Sequence, residues 1–189
     1  MTAPDLADRL AADLDGTFEA LVLEFQRPVF RFAYRYCGNA QDAEEIAQDA
    51  FVRAYAALRD YEPERIAALH LSPWLLTITV NLARNRARGR LPDLVALDGA
   101  EAIAAAADER PEQIGERREL GDLLATALLE LPPRYRSAVI LRYVLGYGYD
   151  EMAQVLGRSP GTVKSQVHRG VLLLRDRLSA PGLMLAEDR

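Results

Sequence analysis

Apolar residues in this chain recur every three or four positions and almost never alternate, so it can bury them only as helices. Phe18, Leu21, Val22, Phe25, Val29, Phe32, Ala33 and Tyr36 trace one stripe of a first long helix. Pro28 falls inside that stripe. Proline has no N–H to donate, so a kink or break is expected between Glu24 and Pro28. Gly38-Asn39 ends the helix, and Asn39 suits the cap of a second one, buried through Ala43, Ile46, Ala47, Ala50, Phe51, Ala54 and Leu58. The opposite face of this second helix carries Asp42, Glu45, Gln48 and Asp49.

A polar loop is expected from Asp60 to Leu71, after which Ser72-Pro73 offers a cap and a first-turn proline for a helix with Trp74, Leu75, Ile78 and Leu82 inward. From Leu91 to about Gly115 the chain is alanine-rich and acidic with no sustained stripe, and reads as a linker. The pattern restarts near Glu116, with Leu120, Leu123, Leu124, Ala127 and Leu128 preceding Pro132-Pro133. Helices from Arg134 to Leu145 and from Tyr149 to Leu156 are closed by Gly146-Tyr147-Gly148 and Gly157, and Ser159-Pro160 starts a last one reaching Leu178. With half of its residues hydrophobic, the chain can build packed cores. The expected fold is all-α: two small helical domains, 1–90 and 116–189, joined by a flexible acidic linker, 91–115.

No run reaches the roughly 18 apolar residues of a membrane span, and Met1 to Asp15 lacks a signal peptide's apolar stretch, so the expected location is the cytoplasm. The one cysteine, Cys37, excludes an internal disulfide and reads as a buried, inert thiol. With His70 and His168 it forms no zinc-like spacing, and neither a metal nor another cofactor is expected. The formal charge of −5 hides a segregation. Arg84, Arg86, Arg88 and Arg90 stand without an acid between Leu75 and Pro92, and five bases face only Asp176 between Arg158 and Arg177. Between these stretches, from Asp93 to Asp122, nine acids outnumber Arg110, Arg117 and Arg118. Two basic patches around an acidic spacer imply two contacts with a polyanion.

In the last helix Val163, Val167, Val171, Leu174 and Leu178 are expected to pack inward against Met152, Ala153 and Leu156. That turns Thr162, Lys164, Ser165, His168 and Arg169 outward. A short helix, a glycine turn and a second helix with a basic outer face make a helix-turn-helix, whose second helix commonly enters the major groove. Hydroxyls near its N-terminus suit phosphate, and Lys and Arg suit guanine acceptors. A merely solvated helix face is the alternative.

Two long motif sets, in order, resemble the extracytoplasmic-function (ECF) sigma factors of bacterial RNA polymerase. One set is Asp42-Ala43-Glu44-Glu45-Ile46-Ala47-Gln48-Asp49-Ala50-Phe51-Val52-Arg53-Ala54 with Pro73-Trp74-Leu75 through Asn81-Leu82-Ala83-Arg84-Asn85. The other is Leu131-Pro132-Pro133-Arg134-Tyr135-Arg136, Glu151-Met152-Ala153 and Gly161-Thr162-Val163-Lys164-Ser165-Gln166-Val167-His168-Arg169. The resemblance implies that Asp42, Glu45, Gln48 and Asp49 meet a clamp coiled coil of core polymerase. It puts the minus-10 element against the 60–71 loop and Asn81, Arg84, Asn85 and Arg88, and the minus-35 element against Thr162 to Arg169. Trp74 suits either base stacking or core packing. Gly170-Val171-Leu172-Leu173-Leu174 departs from the family, whose members place polar residues there; Leu172 or Leu173 is expected to be exposed or covered by the polymerase flap or an anti-sigma protein.

Two other classes compete. A regulator with a fused sensor needs a phosphoacceptor-and-strand pattern or a ligand pocket, and the first half offers neither. An enzyme needs a phosphate loop, a nucleophile motif or a carboxylate-histidine cluster, none of which the sequence contains.

Overall fold

The structure, a computed structural model, describes residues 3–89 and 121–179. The expected linker at 91–115, together with Arg90 and Leu120, lies outside the described residues. Described residues are helical or in turns, with no strand among them. In order they form α1 (Ala3–Ala12), α2 (Leu14–Cys37), α3 (Ala40–Arg59), α4 (Pro63–Ala67), α5 (Leu71–Gly89), α6 (121–129), α7 (Pro133–Val139), α8 (Tyr149–Leu156) and α9 (Pro160–Leu178).

The stripes read from the sequence bury as expected in α2, where Leu21, Phe25, Val29, Phe32, Ala33 and Tyr36 form the inner face. Asn39 caps α3, its side chain accepting from the Asp42 N–H at 2.7 Å. Pro28 does not break α2. The carbonyl that it orphans belongs to Glu24, which is exposed, so water can take the missing donor's place. The 60–71 loop contains a helical turn, α4, started by Pro63 and anchored by buried Ile66. Ser72-Pro73 lies inside α5, not at its start. The first backbone bond runs from Trp74 N–H to the His70 carbonyl at 3.1 Å, which puts Pro73 in the first turn, where its missing N–H is harmless.

In the second half α7 continues into one wide turn, Ile140–Val144, in which the Leu145 N–H reaches back five residues to the Ile140 carbonyl at 3.1 Å. Gly146 and Gly157 then take left-handed conformations, φ 76° and 60°, that favour glycine. Leu124 is exposed, and the buried residues of α6 are Ala125, Ala127 and Leu128. Cys37 is half-buried, not enclosed.

The two halves pack on one another, chiefly α5 against α8 and α2 against the wide turn. Their buried residues form one contiguous cluster, from Phe32, Tyr36 and Leu76 to Leu131, Ile140 and Met152. Side chains cross the seam: Arg31 Nη2 donates to the Val144 carbonyl at 3.1 Å, Arg84 Nε to Ser137 Oγ at 3.3 Å, and Arg136 Nη1 to the Tyr36 carbonyl at 3.0 Å. The Ser72 and Tyr147 hydroxyls also bond there.

Candidate nucleic-acid interface

The cap and the buried face of α9 together set which of its residues point outward. Ser159 caps the helix, its hydroxyl accepting from Thr162 N–H at 3.3 Å, and Pro160 occupies the first turn with a preset φ. Met152, Val155 and Leu156 of α8 are buried together with Val163 and Val167 of α9. This packing fixes the rotation of α9, and Thr162, Lys164, Ser165, His168 and Arg169 all lie exposed, as expected. Ser165 Oγ donates to the Gly161 carbonyl at 3.0 Å, so its lone pairs remain available to an outside donor.

Further along, the expected stripe fails. Val171 is 39% exposed, and Gly170 is buried instead, against Val139 and Tyr135. Helical residues advance about 100° each, so Val171, eight after Val163, stands about 80° away, whereas Gly170, seven after, is within about 20°. Leu172 and Leu173 are half-buried, not exposed, and Leu173 packs against the core cluster.

On α5, Asn81, Asn85 and Arg88 are exposed, with Arg88 donating to the Asn85 side-chain carbonyl. Arg84 is not on that free face: it is half-buried at the seam and bonded to Ser137. Desolvation lowers its pKa, and nearby Arg158 and Arg88 push the same way against the stabilising Tyr36. Arg86 is also engaged, its Nε donating to Asp42 Oδ1 at 2.7 Å and its Nη2 bonding Glu45. Trp74 is half-buried against the core, 6.3 Å from the Tyr61 ring.

The acidic face of α3 therefore splits. Asp42 is 4% exposed, held between Arg86 and the Asn39 amide, while Glu45 is half-buried and Gln48 and Asp49 are open to solvent. Gln48 lines an apolar groove of about 390 Å³ between α2 and α3, with Val22, Phe30, Ala47 and Phe51.

Comparison with known proteins places these elements. The Sigma-70 region 2 family model matches residues 21–91, and the Sigma-70, region 4 model matches 121–174. The ECF RNA polymerase sigma factor SigW of Bacillus subtilis is 31% identical over 169 residues, covering 85% of this chain and 88% of SigW. The chain belongs to the ECF sigma factors. The SigE protein of Mycolicibacterium smegmatis is 38% identical over 165 residues, 86% of this chain but 62% of that longer relative. Among solved structures, the sigma factor RpoE of Bartonella quintana, in complex with the anti-sigma factor NepR, superposes with a TM-score of 0.64 at 25% identity, covering 87% of this chain and 98% of that one. CnrH, in complex with the cytosolic domain of CnrY, shares the fold, with a TM-score of 0.69 at 24% identity over 95% of this chain and 98% of its own.

Within this sigma factor, the motif residue the sequence reading passed over is Arg136. Its guanidinium bonds the carbonyls of Tyr36, Leu129 and Leu131 and lies 5.1 Å from the Tyr36 ring centre. Burial lowers its pKa, and burial raises that of Tyr36, partly offset by Arg136 and Arg84. Nothing local marked it, since two carbonyls at the end of the preceding helix and one at the end of α2, 100 residues away, make no readable spacing. The α2–α3 groove was legible only as the margins of two stripes, Val22 and Phe51. None of the described helices is long and apolar enough to cross a membrane.

Proposed function

We propose that this sigma factor binds core RNA polymerase and directs promoter-specific initiation, with residues 1–90 as region 2, 91–115 as linker and 116–189 as region 4. The observation that carries the reading is the quintet of α9: Thr162, Lys164, Ser165, His168 and Arg169 are all exposed on a capped helix locked by its buried face. Those residues read the minus-35 duplex in the major groove. Asn81, Asn85 and Arg88 meet the minus-10 element, and Arg84 joins them when the seam opens. Gln48, Asp49 and the outer part of Glu45, beside the apolar groove, meet the clamp coiled coil, while Asp42 shapes that face from within. Exposed Val171, beside half-buried Leu172, fits the polymerase flap or an anti-sigma protein of the kind bound to the Bartonella relative. The chain works in the cytoplasm, needs no cofactor, and supplies recognition and strand opening while the polymerase supplies catalysis.

Pull-down with core polymerase followed by run-off transcription on a promoter library tests the whole reading. For the α9 residues, Lys164→Ala and Arg169→Ala should each weaken binding to a minus-35 duplex and reduce the log-log salt slope by about one for every phosphate left without its cation. Unchanged promoter selectivity and slope would overturn the assignment.

A further inference from the structure

The seam between the halves holds a cleft of about 240 Å³ whose charged lining is all of one sign: Arg84 from α5, Arg134 from α7 and Arg158 from the turn before α9, with Gln166 beside them. No acidic residue is among its described lining. Arg84 meets only neutral hydroxyls, those of Ser137 and Tyr36, and Arg134 gives one N–H to the hydroxyl of its neighbour Tyr135, beside whose ring it lies. The Arg158 side chain has no hydrogen bond or ion pair with any described residue.

A guanidinium stays charged at every physiological pH, so half-buried Arg84 and exposed Arg134 and Arg158 give the cleft a concentrated positive charge that an anion between them would offset. Their planar forks match the paired oxygens of a phosphoryl group. Elsewhere in the molecule a buried guanidinium is met: Arg136 has three carbonyls, and Arg86 two carboxylates. In the cleft no carboxylate or carbonyl among the described lining meets the arginines. Its volume is below the roughly 300 Å³ at which pockets for drug-sized ligands begin, which favours a compact oxyanion over a nucleotide. Gln166, with an amide donor and acceptor, supplies a neutral partner for one further oxygen.

We propose that the seam is a binding site for a small phosphoryl oxyanion of the phosphate or pyrophosphate class, completed only when Arg84 of the first half meets Arg134 and Arg158 of the second. Such an anion holds the two halves together, because neither half carries the whole set. It also keeps Arg84 turned away from the exposed face of α5.

The test is thermal unfolding of the full chain with inorganic pyrophosphate against sodium chloride of equal ionic strength. At a hundredfold excess over Kd, pyrophosphate should raise the midpoint by roughly 5 °C or more, and the chloride control should not. Arg158→Gln, at an exposed position that folding does not need, should abolish the rise, and so should Arg84→Gln. A rise that survives Arg84→Gln but not Arg158→Gln would mean that the second half binds the anion alone and would overturn the joint site. No rise with pyrophosphate overturns it as well. A rise with a short duplex of arbitrary sequence but not with pyrophosphate would make these arginines a backbone-phosphate surface, again overturning the proposal.

Discussion

Substituting Gly170→Ala sets two opposed effects against each other at one atom. In the interior of α9, alanine is favoured over glycine by about 1 kcal/mol. The added Cβ, however, would stand 2.6 Å from Val139 Cγ2 and 3.4 Å from both the Tyr135 Cβ and its carbonyl oxygen. Carbon atoms in contact prefer about 3.5–4.0 Å. Val139 is itself 6% exposed and β-branched, so it has little room to turn away. Overpacking of this kind costs about 1–3 kcal/mol, and the net is a loss of about 1 kcal/mol, a fall of roughly 2–4 °C in the unfolding midpoint for a chain of this size. Calorimetry measures the fall, and a double-mutant cycle with Val139→Ala assigns it. The smaller residue at 139 should relieve the clash, giving a favourable coupling of about 1 kcal/mol or more. A Gly170→Ala variant more stable than the parent by the full propensity gain would refute the close α7–α9 contact and the rotation of α9 derived from it.

Removing the α9 cap by Ser159→Ala should destabilise the chain by about 1 kcal/mol in urea unfolding. Arg86→Leu takes the guanidinium away from buried Asp42 and from Glu45 and should cost roughly 2 kcal/mol, discounted because Arg86 and Glu45 are 25% and 44% exposed; a variant as stable as the parent would show the pair to be ornamental. Burial raises the pKa of Tyr36 and Tyr147 above the ordinary 10.0. The unfolded chain then releases these phenolic protons first, so stability present below pH 10 should fall as pH rises from there toward the folded-state values, and Tyr36→Phe with Tyr147→Phe should flatten the decline in alkaline urea titrations.

Periodicity carried α2, α3, α8 and α9 because each buries a stripe wide enough to outvote local exceptions such as Pro28. It missed α1, whose buried Leu6, Ala7 and Leu10 span too few turns to repeat, and α4, a single turn. The outward residues of α9 were legible because the inner face alone fixes them. Asp42 and Arg84 were not: both occupy outer positions of their own helices, and only the approach of α5 to α3, and of the second half to α5, covers them. Counting charges along the chain could not separate Arg84 and Arg86, which are engaged, from Arg88, whose partner is its own helix neighbour.

Arg136 gives the seam a thermodynamic side effect. One guanidinium both satisfies the Leu129 and Leu131 carbonyls where α6 ends and grips the Tyr36 carbonyl where α2 ends. Separating the halves breaks the last of these bonds and hydrates the arginine that holds the other two. Drawing region 4 away from region 2 thus loosens the turn before Pro132, inside region 4 itself. Amide exchange at the end of α6 would then report separation of the halves from a position on only one of them.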